Sequence, residues 1–156
     1  MAKFAIITLT YNKLEQATKS FLNSLYEFTD ENCFDFFVVD NASTDGTVDY
    51  LKDFAQKHKN ISFIFNDENL GYSKGNNIGL KKALEGDYEY FVLVNNDILF
   101  TPNWLENTLK GFELDKQLGM LSPRNNEKCK LTPNNYLSEY KRYLARFKKP
   151  LKYVVT

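Results

Sequence analysis

The sequence predicts an α/β fold: a doubly wound, mostly parallel sheet with helices on its flanks. Three observations predict it. Five short apolar runs alternate with segments whose apolar residues recur at helical spacing, which is the rhythm of βαβ units. The runs are apolar throughout rather than alternating, as strands covered on both faces require. The text turns polar where each run stops, at the strand ends where such sheets bind ligands. These polar exits are Thr8-Leu9-Thr10-Tyr11-Asn12, Asp40-Asn41-Ala42-Ser43-Thr44-Asp45, Asn66–Ser73 and Asn95-Asn96-Asp97.

Taken in order, Phe4–Leu9 is the first strand. Leu14–Phe28 follows as a helix, with Leu14, Ala17, Phe21, Leu22, Leu25 and Phe28 on one face. Phe34–Val39 is the second strand and runs into Asp40. Asn41–Gly46 is a turn cluster, and a helix after it carries Val48, Leu51, Phe54 and Ala55 on one face. Ile61–Phe65 is the third strand. Asn66–Ser73 reads as a loop, with a helix from there to about Leu84. Tyr90–Val94 is the fourth strand. Thr101-Pro102 is expected to open the next helix, Thr as N-cap and Pro at the first position, where its missing N–H costs nothing. Trp104, Leu105, Leu109 and Phe112 would share that helix's buried face. Gly119–Leu121 begins a short fifth strand that Pro123 stops.

Composition narrows the function classes. The 156 residues are 43% hydrophobic and 26% charged, enough for one domain with a real core. No apolar run approaches the roughly 18 residues of a membrane span, and the N-terminal apolar stretch is too short for a signal peptide. The expected location is the cytoplasm. Cys33 and Cys129 form no CxxC and no Cys/His cluster, so two free thiols are expected and zinc is not. His58, the only histidine, sits in a polar Lys-His-Lys-Asn stretch and reads as a solvated helix end. The net charge is zero, but residues 1–123 hold 11 Lys and Arg against 18 Asp and Glu, and residues 124–156 hold 9 against 2. An acidic body of net −7 therefore precedes a basic tail of net +7.

Several nucleotide folds are excluded by the first strand's exit. TLTYNKLEQ contains neither a glycine-rich phosphate loop nor the paired acids of a phospho-receiver site. Instead Thr10, Tyr11 and Asn12 offer a hydroxyl, an aromatic ring and a carboxamide; Asn12 reads either as a ligand contact or as an N-cap. Asp40, at the end of an apolar strand, suits a base imide N–H or ribose hydroxyls, or else caps the turn that follows; Asp45 before Gly46 reads as turn chemistry. Gly71, Gly75 and Gly79 recur every four residues, which on a helix permits close backbone approach. Close packing on the sheet accounts for Gly79, while Asn69, Lys74 and Asn76 could face a nucleotide. Asn95-Asn96-Asp97 brings two carboxamides and a carboxylate to the end of a hydrophobic strand. It reads as a hard-cation site completed by a diphosphate, or as a strand-end turn.

Together IITLTYNKLE, VVDNASTDGT, NLGYSKGNNIGL and LVNNDILFTPNWL resemble the N-terminal, nucleotide-sugar-binding half of a family-2 glycosyltransferase of the GT-A fold, over about 120 of the 156 residues. The motif style is that of the rhamnosyltransferase-like branch. The resemblance implies that Thr10, Tyr11, Asn12 and Asp40 line the nucleoside, with Asp40 on the base, and that Asn69, Gly71, Lys74 and Asn76 flank base and ribose. It implies that Asn95-Asn96-Asp97 replaces the family's D-x-D motif. Asn95 and Asn96 would then lie near ribose or sugar, and Asp97 would ligate Mn²⁺ or Mg²⁺. The implied reaction is inverting transfer of a sugar from a UDP- or dTDP-sugar to a glycan or lipid-linked acceptor, in cell-surface polysaccharide biosynthesis. The family's general base lies well after the fifth strand; past Pro123 the acids are Glu127 and Glu139, and neither sits in such a motif. The base is therefore expected outside this chain, which divides into a donor-binding core, 1–123, and a basic tail, 124–156. A non-catalytic nucleotide-sugar-binding or assembly module is the alternative.

In the tail, Tyr136, Leu137, Tyr140, Tyr143, Leu144 and Phe147 have helical spacing among basic residues. This basic amphipathic helix would pack on the acidic body, begin the acceptor half, or lie on anionic lipid at the inner face of the membrane. It carries no nucleic-acid motif, and no nucleic-acid partner is expected.

Overall fold

The computed structural model describes residues 4–122 and 152–155. Its chain path is β1 (Phe4–Thr10), α1 (Lys19–Phe28), β2 (Phe34–Asp40), α2 (Thr47–Lys57), β3 (Ile61–Phe65), α3 (Gly71–Ala83), β4 (Tyr90–Asn95), α4 (Trp104–Leu114), β5 (Met120–Leu121) and β6 (Lys152–Val155). The six strands form one sheet in the order β3-β2-β1-β4-β6-β5. Every pairing is parallel. From β1 the chain moves outward through β2 to β3, then crosses back to place β4 on the other side of β1. The strand order therefore reverses between β1 and β4, and it is at the carboxyl ends of such a switch point that sheets of this kind form their binding crevice.

Both faces of the sheet are covered, as the continuous apolar runs demand. On one face Phe4, Ile6, Phe36 and Val38 pack with Phe21 and Leu25 of α1, Leu51 of α2, and Trp104 and Phe112 of α4. Each such side chain, fully buried, contributes about 1.5–3 kcal/mol. On the other face Ala5, Ile7, Phe37 and Phe91 meet α3 through Ala83 and Leu80. Here α3 approaches closely because Gly79 lacks a side chain: a Cβ would stand 2.7 Å from Ile7 Cγ2 and 2.9 Å from Val39 Cγ2. Helix α1 is pinned to the β4–α4 connection by two buried bonds. Phe100 N–H donates to Ser24 Oγ at 3.1 Å and Trp104 Nε1 to Thr29 Oγ1 at 2.8 Å.

Some boundaries differ from the sequence reading. The Leu14–Phe28 helix is continuous, but its first turn, Leu14–Thr18, is a wide π turn. Helix α3 starts at Gly71, inside the expected loop, because Asn69 Oδ1 accepts the Gly71 N–H at 2.9 Å and supports the first turn. Helix α4 starts later than expected. Thr101 is not its cap: Trp104 N–H closes a turn onto Thr101 O at 3.2 Å, and Asn103, left-handed at φ 59°, precedes the helix. His58 does end α2, but its ring stacks on Phe54, 4.4 Å between centroids, and Nδ1 lies 2.9 Å from Glu31 Oε2. Cys33 takes part in no disulfide among the described residues. The sixth strand was not anticipated. Lys152–Val155, assigned to the basic tail, pairs with both β4 and β5. The amphipathic helix expected around Tyr136–Phe147, and Cys129, lie outside the described residues.

Candidate functional site

The carboxyl ends of β1, β2 and β4 converge on the crevice. Thr10 pairs with Asp40 in register, and Leu9 with both Val39 and Asn95, so the three polar exits start side by side. No described helix is long and apolar enough to cross a membrane.

The β2 exit is tightly organised. Asp40 is 1% exposed. Its Oδ2 accepts from Thr10 Oγ1 at 2.8 Å and Ser43 Oγ at 2.5 Å, and its Oδ1 accepts the Ser43 N–H at 2.8 Å. A carboxylate has about four lone-pair sites, so Oδ1 keeps capacity for one more donor. Ser43 Oγ in turn accepts the Asn12 N–H at 2.7 Å, and Asn12 Oδ1 accepts the Thr44 N–H at 2.8 Å. Asn12 is thus not the cap of its own helix. That task falls to Asp45, whose Oδ2 accepts the Leu14 N–H at 2.8 Å while Oδ1 accepts the Thr47 N–H and hydroxyl at 3.1 and 2.6 Å. Partial burial works against the Asp45 charge, but the bonds from Thr47 and Leu14 outweigh it and hold the carboxyl below its usual range. The exchange of side chains between the two loops fixes Asn12 and Lys13 in the left-handed region, at φ 55° and 61°. Such strain persists only where the surroundings impose it. Tyr11, between them and β1, leaves 48% of its surface exposed.

Beside this cluster Asn41, also 1% exposed, ties three segments together. Its Nδ2 lies 3.2 Å from Asn69 Oδ1 and 3.3 Å from Gly71 O, and its Oδ1 accepts from Asn66 Nδ2 at 2.8 Å. Gly71 has φ 78°, a conformation that costs a side-chain-bearing residue dearly. Lys74 is exposed on α3. Asn76 is buried, and its Nδ2 donates to Tyr72 O at 3.0 Å, within its own helix.

The β4 exit is open by comparison. Tyr72 Oη donates to Asn95 Oδ1 at 3.0 Å, and Asn96 Nδ2 donates to Thr18 Oγ1 at 3.1 Å. Asp97 is exposed, with no side-chain hydrogen bond among the described residues. No group of three or more His, Cys, Asp and Glu among the described residues could hold a metal with protein ligands alone. The donor set fits a different arrangement, one carboxylate completed by phosphate oxygens, which Mg²⁺ and Mn²⁺ accept.

A cavity of about 340 Å³ elsewhere, lined among others by Asp35, Lys59, Lys82 and Tyr88, contains none of the predicted site residues. There burial, reinforced by the Asp35 carboxylate that accepts from it, pushes the Tyr88 phenol well above its usual value.

A family model described as glycosyl transferase family 2 matches residues 5–155. The chain belongs to glycosyl transferase family 2. It is 27% identical over 117 residues to an uncharacterized glycosyltransferase of Methanocaldococcus jannaschii, covering 75% of this chain and 39% of that protein. It is 31% identical over 109 residues to an uncharacterized glycosyltransferase of Haemophilus influenzae, covering 70% and 32%. The chain therefore spans well under half the length of these curated relatives. Among solved structures, S. aureus TarS 1-349 in complex with UDP-GlcNAc superposes with TM-score 0.66 at 25% identity, over 84% of this chain and 37% of that one. The mannosyltransferase PcManGT of Pyrobaculum calidifontis, in complex with GDP-Man and Mn²⁺, superposes with TM-score 0.66 at 24% identity, over 80% and 36%. The GT-A fold implied by the sequence motifs is the fold found.

In this family 2 chain the residues that sequence reading singles out at the β1, β2 and β4 exits lie at adjacent carboxyl ends of one sheet. Those it passed over are Ser43, Asn41, Tyr72 and Thr18, which hold the others in place. Ser43 and Asn41 sit in the polar turn directly after a strand, and that position is the signal that could have found them. Tyr72 lies in the polar Asn66–Ser73 exit, but its partner is distant in sequence, and nothing local marks Thr18.

Proposed function

We propose that this chain forms the donor-binding part of an inverting glycosyltransferase that takes a pyrimidine-nucleotide sugar, UDP- or dTDP-linked. The observation that carries the reading is the arrangement of the crevice. A buried carboxylate with spare acceptor capacity, Asp40, stands at one end, and an exposed, unengaged carboxylate, Asp97, at the other. Family membership and the UDP-GlcNAc and GDP-Man complexes of the structural neighbours support a nucleotide-sugar donor, and the UDP-GlcNAc complex supports a pyrimidine one.

In this reading the Tyr11 ring and Asp40 receive the nucleoside, and Asp40 accepts an N–H of the base. Asn69 and Gly71 shape the loop beside it, and Lys74 offers a cation to the diphosphate. Asp97 would hold Mn²⁺ or Mg²⁺ together with diphosphate oxygens, and that ion supplies neutralisation of charge on the departing nucleoside diphosphate. Asn95 and Asn96 adjoin the sugar. The base that takes the acceptor hydroxyl's proton is assigned to none of the described residues.

Melting curves with UDP, dTDP and GDP, each with and without Mn²⁺, test the reading. A native-state ligand at 100 times its Kd stabilises by about 2.7 kcal/mol. A clear rise with UDP or dTDP, larger with Mn²⁺, is expected, and Asp97→Ala should remove the Mn²⁺-dependent part alone. No shift with any nucleoside diphosphate would overturn it. The same reading takes the acceptor to be a glycan or lipid-linked sugar and places the protein in the cytoplasm. There the basic stretch from Lys128 to Lys152 would meet the inner membrane face. Vesicle sedimentation should then rise with anionic lipid and fall with salt, and sedimentation indifferent to anionic lipid would remove that part.

A further inference from the structure

We propose that Tyr72 is a positioning residue: it turns the Asn95 carboxamide so that its N–H end, not its oxygen, meets the sugar nucleotide. The inference rests on the donor-binding reading above.

Tyr72 lies in the first turn of α3, with 58% of its surface exposed. Its hydroxyl nevertheless donates to Asn95 Oδ1 at 3.0 Å, across to the end of β4. Water could satisfy an exposed hydroxyl equally well, so solvation does not require this pairing. Nor does packing, since Tyr72 lies in neither core cluster. What the bond does in this structure is occupy the carboxamide oxygen. A free carboxamide can present either its acceptor oxygen or its N–H₂ group. With Oδ1 engaged by Tyr72, Asn95 offers its two N–H donors. On the next residue the orientation is opposite: Asn96 gives its Nδ2 to Thr18, which is 1% exposed, and keeps Oδ1 as an acceptor.

The chemistry of a diphosphate sugar makes the orientation matter. The diphosphate oxygens are acceptors only, and a carboxamide oxygen aimed at them repels, whereas an N–H binds. Tyr72 therefore converts a position that could compete for the cation into a donor for the nucleotide sugar, and leaves Asp97 as the anionic ligand. The bond also joins the α3 start, where Gly71 O lies near Asn41 Nδ2, to the β4 exit, so the two sides of the crevice share one side-chain link.

A double-mutant cycle on the full chain tests this. Calorimetric titration would use whichever of UDP, dTDP or GDP gives the largest thermal shift, with Mn²⁺. Tyr72→Phe keeps the ring and should weaken binding roughly three- to tenfold, the worth of one net hydrogen bond. In an Asn95→Ala background the same change should do nothing beyond about twofold, because the two act as a unit. Asn95→Asp, which Tyr72 can still bond but which has no N–H to offer, should bind more weakly than wild type despite its added charge. Wild-type affinity in Tyr72→Phe, additive losses in the double variant, or tighter Mn²⁺-dependent binding by Asn95→Asp would each overturn the inference and leave the donor-binding reading intact. A wild-type protein that binds none of the three nucleotides overturns both.

Discussion

At the β2 end of the crevice Asp40 is 1% exposed and accepts three hydrogen bonds; at the β4 end Asp97 is exposed and accepts none among the described residues. The two carboxylates stand at the exits of apolar strands on either side of β1 and look alike in the sequence. One has become part of the folded structure and the other stands clear of it. A rigid, pre-bonded end can select a ligand at little ordering cost. An end with a bare carboxylate instead leaves coordination for the ligand to complete. The comparison predicts that substitutions at the β2 end are read first as lost stability, and those at the β4 end as lost binding.

The largest effect is expected from Asp40→Ala. It leaves the Thr10 and Ser43 hydroxyls and the Ser43 N–H without their acceptor, and a buried unsatisfied group costs about 1–3 kcal/mol. Urea unfolding should show a loss of about 2–4 kcal/mol on the same scale. A loss no greater than that of Asp97→Ala would break the comparison outright.

Next comes Gly79→Ala on α3, which tests whether the helix under the crevice is held at a fixed distance. The added Cβ would stand 2.7 Å from Ile7 Cγ2 and 2.9 Å from Val39 Cγ2, on β-branched side chains with little room to move. Overpacking costs about 1–3 kcal/mol and better helix propensity returns about 1, so a net loss of about 1–2 kcal/mol is expected. A stabilised variant would mean that α3 can lift off the sheet.

A smaller effect concerns acid. Asp45 titrates below its ordinary 3.8 in the folded protein. Its contribution is therefore full above that value and is lost as pH falls through it toward the folded-state pKa. Asp45→Asn should flatten the loss of stability below about pH 4, seen in melting temperatures across an acid series. An unchanged acid limb would detach the loop exchange from stability.

The smallest effect on folding belongs to Asp97→Ala, within about 0.5 kcal/mol of wild type, as for an exposed residue with no partners. Its consequence should lie in Mn²⁺-dependent nucleotide binding. A large stability loss would show that Asp97 supports the fold after all.

How much was legible beforehand depends on the range over which each feature is decided. The strands were readable because continuous apolar runs have few other homes, and Ile61–Phe65 matches residue for residue. Helix starts were read less well. That of α3 is set by the Asn69 side chain, and that of α4 by a left-handed Asn103, which composition does not announce. At the site the residue types were visible but their partners were not. Asn12 looks like a cap for the helix after it, yet Asp45 holds Leu14 and Asn12 holds Thr44. That exchange spans two loops, and no local pattern encodes it. For the same reason Lys152–Val155 went unnoticed as a strand: four residues after a basic stretch acquire an extended conformation only through β4 and β5.

That last strand sets a timetable. The first four strands end at Asn95 and the crevice they frame ends at Asp97, so during synthesis they can pair as soon as that stretch has emerged. Met120 and Leu121 must wait, because their sheet partners are Tyr153 and Val154. Until those arrive, the β4 edge that β6 will occupy stands exposed as a template for any extended segment that reaches it. The donor half is thus assembled early, and the growing protein is most vulnerable to wrong partners in the interval before residues 152–155 appear.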